Sequence, residues 1–329
     1  MRQGGVERVN QPDVSDDLKT KVAWLYYMEG MTQDEISKTL GLSRSRVLRI
    51  LANSRQSGMV QIRVTTKLSY CVSLERALET RYGLERAIVI PKPQDANATQ
   101  EIIGSVLGAY ISENIPENAT IGLGWGKTLS ASLPGIEYRD QTGISVLSML
   151  GGLTRVSGAN PSEFAWRLAD RLNAECYLMA APVFAPDART REALLAHPGI
   201  QEIFRRASRL DLAILSVGDL SPFSTVSEYF LLERDELSAL QAAGAVGDVL
   251  CRFIDADGNF IDHPVNERVV AVDPRDLRGA RKLVLASGGW QKYDVIRGAM
   301  RLLKPHVLIT DELVAERLVN EVAGTQPQR

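Results

Sequence analysis

The chain has 329 residues, 45% of them apolar and 24% charged, with a formal net charge of −2, the profile of an ordinary globular protein long enough for about two domains. Its three cysteines, Cys71, Cys176 and Cys251, are odd in number and far apart, and its three histidines, His197, His263 and His306, have neither a cysteine nor a second histidine nearby. That excludes a disulfide framework and a zinc-type cluster. No apolar run reaches the ~20 residues that span a bilayer, and the first residues carry no apolar leader core, so a cytoplasmic protein without membrane, metal or cofactor is expected.

Charge is unevenly placed. Residues 1–66 hold ten basic and seven acidic residues, and Gly41–Arg63 holds five arginines and no carboxylate, a local positive field suited to a polyanion. Residues 1–14 are polar, with Gly, Asn and Pro, and are expected to form a loose arm. Leu18, Val22 and Leu25 then recur at helical spacing. Thr32 with Glu35 forms a capping-box signal for a second helix, with Ile36 and Leu40 on one face. Gly41 provides its left-handed exit, and Ser43 caps a third helix that buries Val47, Ile50 and Leu51. Two short helices about a tight glycine turn, after a supporting helix, make a helix-turn-helix over residues 15–66. The start of the third helix would enter the DNA major groove. Thr32, Gln33, Ser43, Arg44, Ser45, Arg46 and Arg49 are the candidate DNA contacts, the arginines to guanine edges or phosphates. The alternating segment SGMVQIRV that follows fits a short strand or wing, or the start of a linker.

From residue 67 onward helices alternate with apolar strands. SLERALETRYGL and TQEIIGSVLGAYISENI read as helices. RAIVIP, ATIGLG, GISVLSML, AECYLMAAPVF, LDLAILSVG, KLVLAS and HVLITD read as strands. NPSEFAWRLADRL reads as a helix capped by Asn160, with Pro161 in the first turn and Glu163 closing a capping box. RGAMRLL and DELVAERLV read as further helices. The pattern predicts an α/β domain over residues 67–329, three-layered and with a mainly parallel sheet.

The stretch GLGWGKT mimics a phosphate-binding loop, but spacing rules out both nucleotide motifs. The residue five before Gly126 is Ile121 rather than glycine, and the sixth position of a dinucleotide fingerprint is Lys127. What remains is a glycine turn after a strand, with Lys127 and Thr128 as donors for a small anionic or polar ligand. Similar turns follow other strands at Gly151–Gly152 and at Gly288–Gly289, the latter with Lys292 close behind, and Asp248 adds an acceptor for sugar hydroxyls. Ligands of parallel sheets gather at such carboxyl ends. A sugar-phosphate isomerase or deaminase is the alternative reading, with Asp219, Asp248 and Asp311 as acid–base candidates. A third is a DNA-binding protein whose large domain only oligomerises.

In order along residues 15–320, WLYYMEGMTQDEISKTLGLSRSRVLRIL, GLGWGKTL, LGGLTR, NPSEFAWRLADRL, APVFA, GAVGDVLCRFIDADG, ASGGWQKYDVIRGAM and LITDE make the chain resemble the SorC family of sugar-binding transcriptional regulators. The resemblance implies a helix-turn-helix joined to a non-catalytic domain similar to sugar-phosphate isomerases and deaminases. It also implies a homo-oligomer, dimer or tetramer, on a palindromic operator, and a sugar, polyol or sugar-phosphate effector. The implied effector pocket comprises Gly124, Gly126, Lys127, Thr128, Gly152, Arg155, Asp248 and Lys292. Some phosphate-binding members carry a hydroxyl pair where this chain has Lys127–Thr128, which leaves phosphate against free sugar open.

Overall fold

The computed structural model describes residues 16–60, 69–95, 98–138, 143–154, 160–229 and 231–321. The chain divides into two compact units, Met1–Val64 and Thr65–Arg329.

The first unit is three helices, α1 (Asp16–Tyr27), α2 (Gln33–Leu40) and α3 (Arg44–Gln56). The capping box forms as the sequence predicts: the Glu35 N–H donates to Thr32 Oγ1 at 3.3 Å, and the Thr32 N–H donates to Glu35 Oε2 at 2.7 Å. Gly41, at φ 63°, turns the chain out of α2 in a conformation that costs a side-chain-bearing residue. The Leu42 N–H returns to the Ser37 carbonyl at 3.0 Å, closing the turn. Ser43 Oγ then accepts from the Arg46 N–H at 3.3 Å and starts α3. Val22, Ile36, Val47, Ile50 and Leu51 form the core, ringed by Leu18, Leu25, Leu40 and Leu42, the apolar register expected from spacing. Ser57–Val60 form a turn and bend, and the remainder of the suggested wing lies outside the described residues, as does the arm of residues 1–14.

The second unit opens with α4 (Ser69–Tyr82), followed by β1 (Arg86–Ile90), α5 (Thr99–Asn114), β2 (Thr120–Leu123), α6 (Lys127–Ser130), β3 (Ser145–Ser148), α7 (Pro161–Arg171) and β4 (Glu175–Tyr177). Then come α8 (Ala188–Leu195), α9 (Pro198–Ala207), β5 (Leu212–Leu215), β6 (Gly218–Asp219), α10 (Thr225–Glu228), α11 (Arg234–Ala242), β7 (Gly247–Val249) and β8 (Arg252–Ile254). The chain finishes with α12 (Pro264–Glu267), β9 (Leu283–Ala286), α13 (Tyr293–Leu303), β10 (Val307–Asp311) and α14 (Glu312–Asn320). Seven strands pair in the order β1-β10-β9-β5-β2-β3-β4, every neighbour parallel. Alternate residues of each strand enter opposite cores. Leu212 and Ile214 join Val284, Ile309 and the helices α5 and α7 on one face; Ala213 and Leu215 join Leu285, Leu308 and the helices α4, α9, α13 and α14 on the other. Both faces are covered, so the inner strands are apolar throughout, as the sequence predicts for a three-layer α/β/α domain.

Two local expectations change. Asn160 caps α7 through the Ser162 N–H at 3.0 Å, but Glu163 does not close a box: its carboxylate faces Arg167, four residues on, at 3.6 Å. Asp248 sits on a strand, in a small antiparallel sheet β6-β7-β8 that no periodicity announces.

Candidate effector-binding site and DNA-recognition helix

The carboxyl end of β2 builds one wall of the site. The chain leaves the strand through Gly124, Trp125 and Gly126 and starts α6 at Lys127. Gly126 has φ 112°, a conformation essentially reserved for glycine. The turn it makes sets Lys127, Thr128 and Gly126 against a cavity of about 30 Å³, roughly the room one water occupies. Asp248 and Lys292 also line it, with Gln100, Trp125, Ser216 and Thr225 among the other lining residues. Thus four residues expected to share a pocket with Gly126 do so, namely Lys127, Thr128, Asp248 and Lys292. Two others, Gly124 and Gly152, do not. The Gly124 N–H donates to the Ile214 carbonyl at 2.9 Å, extending the sheet and leaving no donor there for a ligand. Gly152 lines a neighbouring open cleft of about 720 Å³, with Thr154, Ser162 and Met179. Arg155 lies outside the described residues.

Burial governs the chemistry. Lys292 enters on the short turn Trp290–Lys292, is 8% exposed, and its Nζ donates to the Val217 carbonyl at 3.0 Å. Burial pulls its pKa down; Asp219 and Asp248 push it back up. Asp248 is fully buried. Its Oδ2 accepts from the Cys251 N–H at 2.8 Å, while its Oδ1 has no hydrogen-bond partner among the described residues. Burial raises the Asp248 pKa from 3.8 to about 6, against the pull of the Cys251 N–H and of Lys292. Gly218, paired with Asp248 across the small sheet, makes this placement possible, since a Cβ there would collide with Asp248 Oδ1. Lys127 Nζ lies 2.5 Å from Glu228 Oε2, a half-exposed pair. Glu228 also lines the larger cleft, so the pair stands between the two spaces. Sequence reasoning had no signal for Glu228, because α10 is a single turn with no motif.

The other acid–base candidates have structural duties. Asp311 Oδ2 accepts from the Gly289 N–H at 2.6 Å, and its Oδ1 accepts from the Leu313 and Val314 N–H groups at the start of α14. The glycine turn at Gly288–Gly289 is therefore held by this chain's own carboxylate. Asp219 Oδ1 accepts from the Ser221 N–H at 2.7 Å.

In the first unit, α3 gathers the recognition candidates. Ser43, Arg44 and Ser45 are exposed in its first turn, Arg46 is partly exposed, and Arg49 is exposed one turn on. Arg44 Nε lies 3.5 Å from Asp34 of α2. Gln33 is partly exposed at the start of α2, and the Thr32 hydroxyl is engaged in the capping box. The surface is basic and polar, with short donors beside long ones, suited to phosphates and base edges.

Comparison with known proteins agrees with both units. Residues 66–320 match the family model described as "Putative sugar-binding domain", and residues 21–57 match the model of "Sigma-70, region 4". The erythritol catabolism regulatory protein EryD of Brucella abortus is 30% identical over 314 residues, covering 95% of this chain and 99% of that protein. The deoxyribonucleoside regulator of Bacillus subtilis is 30% identical over 315 residues, covering 93% of this chain and 98% of that one. The crystal structure of the full-length sorbitol operon regulator SorC from Klebsiella pneumoniae superposes with a TM-score of 0.69 at 25% identity, covering 93% of this chain and all of that one. The three-helix unit, the parallel-sheet domain and these matches together place the chain in the SorC family of sugar-binding transcriptional regulators.

Proposed function

We propose that the protein is a cytoplasmic, homo-oligomeric transcriptional regulator of carbohydrate or polyol catabolism or uptake genes. Helix α3, entered through Ser43, Arg44, Ser45, Arg46 and Arg49, reads a palindromic operator, and α2 supports it through Thr32 and Gln33. A sugar, polyol or sugar-phosphate effector enters the cleft at the carboxyl end of the parallel sheet and changes operator affinity. The observation that carries the reading is the joining, in one chain, of a basic capped recognition helix with a pocket lined by buried Lys292 and Asp248. Regulator names among relatives matched over nearly their whole length support it. Gly126, Lys127, Thr128, Asp248 and Lys292 are the proposed effector contacts, with Gly152 at the outer cleft; Gly124 shapes the turn.

The test is fluorescence anisotropy of the full chain on DNA from upstream of its own gene, with and without a panel of sugars, polyols and their phosphates. Effector coupling should change operator affinity by roughly 5- to 150-fold. Lys292→Met should bind DNA normally and lose that response. Binding no tighter than to random DNA of equal length would overturn the assignment.

A further inference from the structure

The charges around the two spaces point to a narrower ligand class. Among the described lining residues the inner cavity holds two ammonium groups, Lys127 and Lys292. Each already has carboxylate company: Lys127 is paired with Glu228, and Lys292 lies in the fields of Asp219 and Asp248. The outer cleft is lined, among the described residues, by a single charged side chain, Glu228. Among the described residues the two ammonium groups are thus matched by Asp248 and Glu228 lining the spaces, with Asp219 close behind, and no positive charge is left over to receive an anion. A phosphate ester would bring about two more negative charges into a confined, partly desolvated space.

The unmet hydrogen-bonding need points the same way. Asp248 lines the cavity, and its Oδ1 is buried and has no donor among the described residues. An ionised carboxylate oxygen needs an O–H or N–H, and a buried acceptor left without one is costly. A ligand hydroxyl supplies that donor, whereas the phosphate group of an ester, having no proton to give as a dianion, could not sit against this oxygen. Around the same cavity Lys127, Thr128 and Lys292 offer donors, while Glu228 offers a second acceptor at its mouth. Donors and acceptors interleaved over a short span match successive hydroxyls of a polyhydroxyl chain, each of which both gives and takes a bond.

We propose that the effector is an uncharged polyol or sugar rather than a phosphate ester, and that Glu228 is the residue that excludes the ester. The inference rests on the effector-pocket reading above. Glu228 neutralises Lys127, the ammonium nearest the outer cleft, and repels an anion approaching it. The pair is half-exposed and such pairs are weak, so a neutral ligand can part it and use both partners as hydrogen-bonding groups. Parting it also joins the cavity of about 30 Å³ to the cleft of about 720 Å³, enough together for a small sugar.

The experiment is isothermal titration of the full-length chain with glycerol, erythritol, ribitol, sorbitol and the matching aldoses, each beside its terminal phosphate ester. Wild type, Glu228→Gln and Glu228→Ser are compared, the second variant guarding against a folding defect in the first. A free compound should bind at least about tenfold more tightly than its ester, and both variants should erode that preference roughly tenfold by admitting the ester. An ester that binds wild type as tightly as its parent overturns the proposal while sparing the effector reading. A preference unchanged in both folded variants removes Glu228 as the discriminator. Failure of every compound to bind the folded wild type overturns the effector reading together with the proposal.

Discussion

Raising the pH should cost the C-terminal unit stability through Asp248. Its carboxyl is buried against Gly218 and Cys251, and its pKa stands at about 6 in the folded protein against 3.8 ordinarily. A carboxyl whose folded pKa is raised favours the folded state while protonated. That contribution is fully present below about pH 4 and is lost as the pH rises through about 6. At roughly 1.4 kcal/mol per pH unit, the difference between 3.8 and about 6 amounts to about 3 kcal/mol. Asp248→Asn keeps the shape and an acceptor for the Cys251 N–H but cannot ionise. Urea unfolding of both proteins, followed by tryptophan fluorescence, isolates the effect from every other titrating group, because only the difference between variant and wild type is used. That difference should move in favour of Asp248→Asn by about 3 kcal/mol between about pH 4 and about pH 8. A flat difference would show that Asp248 does not titrate in this window. A difference moving the other way would mean that Lys292 and the Cys251 N–H outweigh burial, and the picture of a desolvated, donor-seeking carboxylate would fall.

Three further outcomes are expected. Thr32→Ala breaks both bonds of the capping box and should speed amide exchange in the first turn of α2 by roughly fivefold; unchanged exchange would mean that the box adds nothing in solution. Arg49→Ala should weaken operator binding and, if the residue meets a phosphate, lower the slope of log affinity against log salt by about 0.9; identical titrations would remove Arg49 from the interface. Gly126→Ala forces a side-chain-bearing residue to φ 112° and should destabilise the C-terminal unit by roughly 1–3 kcal/mol in thermal melts, and an unaltered melting midpoint would refute the turn geometry that aims Lys127.

The sequence makes some features readable because one local interaction decides them. Thr32 with Glu35 specifies a capping box by spacing alone, and Gly41 followed by Ser43 leaves little choice about where α2 ends and α3 begins. Leu212–Leu215 and Val307–Asp311 read as strands because both faces of an inner parallel strand are dry. Where the outcome depends on distant partners, local pattern fails. The strands of the small sheet are two or three residues long, too short to display a period, so Asp248 reads only as a carboxylate after a glycine. Lys292 is visible as a lysine behind a glycine pair, but its burial follows from Val217, 75 positions away. Gly124 looks like an open glycine donor until β5 is found beside it, taking its N–H. Glu228 carries no signature, because its meaning comes wholly from Lys127 across the cleft.

Asp311 has a mechanical consequence. One carboxylate grips the turn from which Lys292 departs with one oxygen and the head of α14 with the other. Farther along α14, Glu316 accepts from the Tyr70 hydroxyl at 2.5 Å, and the Val319 carbonyl accepts from Arg81 at 3.0 Å, so the helix is tied to α4, the first described element after the DNA-binding unit. Turn, carboxylate and helix thus form one hydrogen-bonded path from the turn that carries Lys292 to α4. A close-packed interior does not absorb a shift by yielding gradually, so a displacement of the Lys292 turn would be felt by the end of β10, by α14 and by α4 together.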